Sequence, residues 1–135
     1  MKFKLLPEQE LVVGGFKPGN PLESVVVGYF DGGRLLCAGK VRQGLNARNR
    51  RELHRFLEPL MADVCAFANL PNSKKSHWGE GITPAQMKDH RWVMPRVVVQ
   101  VRFVEWTRSG NLRHGEFKGV RTDKRPEEVV REAAV

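Results

Sequence analysis

Near the end of this 135-residue chain stands Arg121-Thr122-Asp123-Lys124, two cations flanking one carboxylate, directly after Phe117-Lys118-Gly119-Val120. At a strand end such a set can grip a pyrophosphate: Arg121 bidentately, Lys124 as a point charge, Asp123 holding the arginine in place. Taken alone, the tetrapeptide reads better as a solvated strand end. Lys2 and Lys4 alternate at the other end of the chain. Alternate residues of a strand point to one side, so both could reach a single phosphate. Between these groups lie Lys40, Arg42, Arg48, Arg50, Arg51 and Arg55. Cations on a helix and its preceding loop suit a duplex backbone, with binding that weakens steeply with salt. A solvated helix face is the competing reading.

The charge distribution bears on that choice. The chain holds 23 Lys and Arg against 15 Asp and Glu, a net charge of +8. Residues 1–39 balance at four basic and four acidic, and residues 116–135 at five and five. Residues 40–115 carry fourteen basic against six acidic, so all the excess positive charge lies mid-chain. A polyanion is the natural partner of such a patch; a generally basic protein kept dispersed by its charge is the alternative. No apolar run approaches the roughly 20 residues that span a bilayer. The N-terminus lacks a basic-then-apolar secretory pattern, so an intracellular protein without a membrane partner is expected. Cys37 and Cys65 lack CxxC spacing, which disfavours a disulfide framework or zinc ribbon. Cys37, inside Leu35-Leu36-Cys37-Ala38, reads as a buried thiol. His54, His77, His90 and His114 have no tight metal spacing and suggest no catalytic triad.

The elements that must position these groups are mostly strands. Glu10–Phe16 is short and β-branched, and Ser24–Phe30 and Arg34–Val41 flank Asp31-Gly32-Gly33, a hairpin turn. Leu53, Phe56, Leu57, Leu60 and Val64 recur at helical spacing behind Asn46, a candidate N-cap, with Arg48, Arg51 and Arg55 opposite. Pro59 should kink that helix or split it. Residues 65–91 read as a long polar connection. Alternation resumes over Arg96–Trp106, with Val97, Val99, Val101 and Phe103 on one face. Ser109-Gly110-Asn111 turns into Leu112–Val120, and a short helix is expected over Glu127–Ala134. Trp106 reads as core, whereas Trp78 and Trp92 stay open between packing and base stacking. Strand, hairpin, helix, strand, hairpin is the order of an OB fold. The expectation is a mainly β, single domain over residues 1–135: a five-stranded barrel with one connecting helix and a short C-terminal helix.

Four pieces stand in a telling order: Lys2-Phe3-Lys4, Glu10-Leu11-Val12-Val13-Gly14-Gly15-Phe16, Gly39-Lys40-Val41-Arg42-Gln43-Gly44-Leu45, and Arg121–Lys124. Together they resemble the C-terminal OB domain of an ATP-dependent DNA ligase of the bacterial end-joining type, from Lys2 to about Val130. The resemblance implies that Arg121, Asp123 and Lys124 close over an adenylation domain and orient pyrophosphate as leaving group. It also implies that Lys2 and Lys4 belong to the nucleotide-binding side. Residues 1–6 resemble the tail of the preceding adenylation domain, so the chain reads as a piece of a longer polypeptide or as a free-standing domain. ATP and Mg²⁺ are the implied cofactors, held mainly by the adenylation domain in cis or in trans. Nicked double-stranded DNA is the implied partner, and a monomer in the bacterial cytoplasm, associated with the nucleoid, is expected.

No Lys-x-Asp-Gly occurs, so the lysine that would carry AMP is missing and the chain alone is expected to be inactive. Gln100 stands where such ligases usually have an acid, which puts any salt bridge there in doubt. A stand-alone nucleic-acid-binding OB module, and the matching domain of an RNA ligase or capping enzyme, are the other readings.

Overall fold

The computed structural model describes residues 8–62, 66–67, 90–106, 112–122 and 125–129. Three long strands open the chain: β1 (Glu8–Pro18), β2 (Leu22–Asp31) and β3 (Arg34–Val41), each antiparallel to the one before. Gly32 and Gly33 join β2 to β3 with φ of 61° and 84°. Side chains with a Cβ resist two successive positive φ values, so the glycine pair makes this two-residue hairpin possible. Helix α1 (Ala47–Leu57) follows. Asn46 caps it from extended backbone, its Oδ1 accepting the Asn49 N–H at 2.8 Å. At Pro59 a kink or split is expected; instead α1 stops at Leu57, and Glu58–Leu60 is a single 3-10 turn leading to the short strand β4 (Met61–Ala62).

The second half supplies β5 (Arg91–Arg102), β6 (Glu105–Trp106), β7 (Leu112–Arg113) and β8 (Glu116–Arg121). β5 is the hub. It pairs with β1, with β4 at its start and with β8 along its second half. Its ladder to β1 lapses between Trp92 and Val97, where Pro95 has no N–H to give. β6 and β7 form a small separate sheet, so the arms of the expected second hairpin pair, while its turn lies outside the described residues.

Strand alternation sorts the core. Leu11, Val13, Val25, Val27, Tyr29, Val97, Val99 and Val101 fall on one face and are buried. Leu53 and Leu57 of α1, both fully buried, lie against this layer, and Phe16 meets His54 edge-on. Trp106 packs edge-on against Tyr29 and Phe103, in line with its core reading, and Cys37 is fully buried. Phe56 is a departure from the pattern, at 41% exposed. Position 56 lies about 100° around the helix from Leu57, beyond the edge of the buried stripe.

Two expectations need correction. The five-stranded barrel is not closed: the ladders make a six-stranded sheet, in order β3-β2-β1-β5-β4 with β8 also on β5. Its edges β3 and β8 approach only through one isolated parallel bridge, Gln43 to Glu116, with the Phe117 N–H donating to the Gln43 carbonyl at 2.8 Å. The reason is local. β3 ends at Val41 and the chain turns at Gly44 toward α1, so no parallel run develops. The helix expected over Glu127–Ala134 does not begin as an α-helix in residues 127–129, and its remainder lies outside the described residues. Pro126–Glu128 is one 3-10 turn, and Val129 is extended and buried, its carbonyl accepting from the Phe30 N–H at 2.8 Å. A strand-edge contact there outweighs helix propensity.

Candidate functional site

Strand pairing decides what Arg121 meets. Gln100 of β5 lies opposite Glu10 of β1 on one side and Gly119 of β8 on the other. These positions and Arg121 share the opposite face of the sheet, which also carries the buried Val12, Val26 and Val98. The Arg121 Nη1 donates to Glu10 Oε2 at 3.0 Å and to Gln100 Oε1 at 2.8 Å. Gln100 Nε2 in turn donates to Glu8 Oε1 at 3.0 Å. The guanidinium of Arg121 on β8 is therefore held from two other strands, β1 and β5, and its side chain keeps 36% exposure beside a more enclosed Glu10 at 19%. The next rung along this face is another cross-strand ion pair, Arg102 Nη2 to Glu116 Oε1 at 3.1 Å.

Sequence reasoning assigned the holding of Arg121 to Asp123, which, with Lys124, lies outside the described residues. Lys2 and Lys4 lie outside them too, as do Cys65, His77 and Trp78. The partners that do appear, Glu10 and Gln100, were missed. Glu10 is 111 residues away in sequence, and only the β1–β5–β8 ladder brings it within reach. One signal was available: Glu10 and Gln100 are the polar positions of two alternating strands. The doubt over a salt bridge at position 100 has a plain outcome. The amide contributes no charge but accepts the arginine N–H.

The mid-chain cations divide. Lys40 and Arg42 are exposed at the β3 edge and just after it. Arg48, Arg51 and Arg55 are exposed on one stripe of α1, at spacings of three and four residues. Arg50 is set apart. It lies on the side of the helix near Leu53 and Leu57, half-buried, with its Nε enclosed and meeting no acceptor among the described residues. No acid occupies the first turn of α1. Cations there work against the helix dipole, so helix stability does not explain them. They add to the field of the exposed N–H groups instead, an arrangement that favours anions.

The segment carrying these cations is tied to β8. Gly44, at φ 85°, lies so close to Phe117 that a Cβ would come 2.4 Å from its carbonyl oxygen. That fixes residues 40–55 at the Glu116 end of β8, while Arg121 stands at the other. Five residues of strand separate the two ends by about 16 Å. Among the described residues no group of three or more His, Cys, Asp or Glu could hold a metal ion. No described helix is long and apolar enough to cross a membrane.

With this geometry in view, comparisons with known proteins are specific. The family described as the ATP dependent DNA ligase C terminal region matches residues 18–124. The multifunctional non-homologous end joining DNA repair protein LigD of Mycobacterium tuberculosis is 36% identical over 129 residues, covering 92% of this chain and 16% of that protein. The corresponding LigD of Pseudomonas aeruginosa is 27% identical over 139 residues, covering 98% of this chain and 15% of that protein. Among solved structures, the ligase domain of M. tuberculosis LigD superposes with a TM-score of 0.80 at 35% identity, over 96% of this chain and 40% of that one. A mycobacterial DNA ligase D complexed with ATP and MES gives 0.77 at 36%, over 94% and 38%. The chain thus spans about a sixth of the length of the curated relatives it matches.

Proposed function

The chain belongs to the family of ATP-dependent DNA ligase C-terminal regions, and from that premise we propose that it is an OB-type domain that contacts nicked duplex DNA and assists adenylation. The observation that carries this reading is the placement of the basic segment and Arg121 at opposite ends of β8: the segment is tied to the strand through Gln43 and Gly44, and Arg121, on the strand, is hydrogen-bonded to Glu10 and Gln100. One group, Lys40, Arg42, Arg48, Arg51 and Arg55, lies along the duplex backbone and reads its phosphates and shape. Arg50, also a candidate, stands at the margin of that surface. The other group meets the nucleotide: Arg121, with Asp123 and Lys124, grips the outer phosphates, and Lys2 and Lys4 approach from the nucleotide-binding side.

ATP with Mg²⁺, bound by an adenylation domain in the same polypeptide or as a separate subunit, supplies the adenylyl group and the pyrophosphate that leaves. The part of this chain is to orient that pyrophosphate in line with the attacking lysine of its partner and to stabilise its developing charge. Alone the chain transfers nothing. It works as a monomer on DNA in the bacterial cytoplasm, in the end-joining reaction for which its relatives are named.

Transfer of labelled AMP from ATP to a separately expressed adenylation domain tests it. Addition of the chain stimulates transfer, and Arg121→Ala abolishes the stimulation. DNA binding without any stimulation would instead mark a stand-alone nucleic-acid-binding module.

A further inference from the structure

The geometry points to Glu10, Gln100 and Glu8 as a three-part seat that positions the Arg121 guanidinium for phosphate, an inference that rests on the adenylation role just proposed. Arg121 Nη1 is shared between Glu10 Oε2 and Gln100 Oε1, at 3.0 and 2.8 Å. A carboxylate alone would leave the guanidinium free to swing about one contact. Two acceptors on neighbouring strands fix its plane.

Gln100 can serve only in one orientation, with its oxygen toward Arg121. Glu8 selects that orientation, because a carboxylate accepts and only the amide Nε2 can donate to it, which it does at 3.0 Å. Glu8 therefore acts on Arg121 without touching it. The neutral amide at 100 also sets the electrostatics. A glutamate at 100 would lie between Glu8 and Glu10 with no proton to offer Glu8, so three carboxylates would crowd one cation. Glu8 and Gln100 thus form a matched pair: an acid at one position suits an amide at the other.

The test is AMP transfer with this chain and an adenylation domain, measured over a range of ATP concentrations and alongside thermal melts. Glu10→Gln and Gln100→Met each lower the rate at saturating ATP about tenfold, with a smaller effect on KM for ATP. Gln100→Glu also slows transfer, and adding Glu8→Gln to it restores most of the rate, because the donor and acceptor are exchanged. A residue that only supported the fold would lower the melting temperature without that rescue.

If Arg121→Ala abolishes stimulation while Glu10→Gln and Gln100→Met behave as wild type, the seat is refuted and the adenylation role stands. If the Gln100→Glu variant is slow and Glu8→Gln fails to rescue it, the matched pair is refuted. If Arg121→Ala stimulates as well as wild type, the adenylation role itself fails and the seat has no function to serve.

Discussion

Replacement of Arg48, Arg51 and Arg55 together by glutamine is the perturbation that best probes the proposed duplex contact. Five cations of the mid-chain group are exposed: Lys40, Arg42, Arg48, Arg51 and Arg55. Each phosphate neutralised contributes about −0.9 to the slope of log affinity against log salt on duplex DNA. Five contacts give a slope of about −4.5, so affinity falls about 500-fold between roughly 50 and 200 mM salt. Removing three of them leaves a slope of about −1.8 and a fall of only about 12-fold over the same range.

Fluorescence anisotropy titration of a nicked duplex at several salt concentrations measures both slopes. Arg50→Gln is the control that the structure supplies. Its half-buried side chain should shift stability more than it shifts the slope. A wild-type slope shallower than about −1, or a triple variant as salt-sensitive as wild type, would refute the phosphate-contact reasoning.

Other expectations concern the scaffold. Asn46→Ala removes the acceptor for the Asn49 N–H and should cost about 1 kcal/mol, visible as a melting temperature about 3 to 5 °C lower. Gly44→Ala forces a Cβ toward the Phe117 carbonyl at positive φ; it should destabilise by more than about 1 kcal/mol and loosen the basic segment, lowering DNA affinity as well. Leu53→Ala empties a fully buried position under α1 and should cost about 2 to 5 kcal/mol in chemical denaturation. Phe56→Ala, by contrast, removes a ring that is 41% exposed and should leave the denaturation midpoint nearly unchanged.

Local chemistry was legible in the chain without coordinates. The Gly32–Gly33 hairpin, the Asn46 cap, the break at Pro59 and the alternating core of β5 each depend on a few consecutive residues, whose φ preferences and side-chain period decide the outcome. The order of motifs carried the family assignment, since it depends on identity and spacing along the chain. Tertiary structure decided what lies between distant residues. The partners of Arg121 are 21 and 111 residues away, and no pattern along one strand states which polar position of another will face it. Closure of the sheet was equally out of reach, because it depends on where β3 stops relative to the start of β8. The extended backbone at Val129 goes with a contact far away in sequence, the hydrogen bond from the Phe30 N–H to the Val129 carbonyl. Side-chain periodicity is a property of neighbours in sequence; register is settled only when separate strands pack over a shared core.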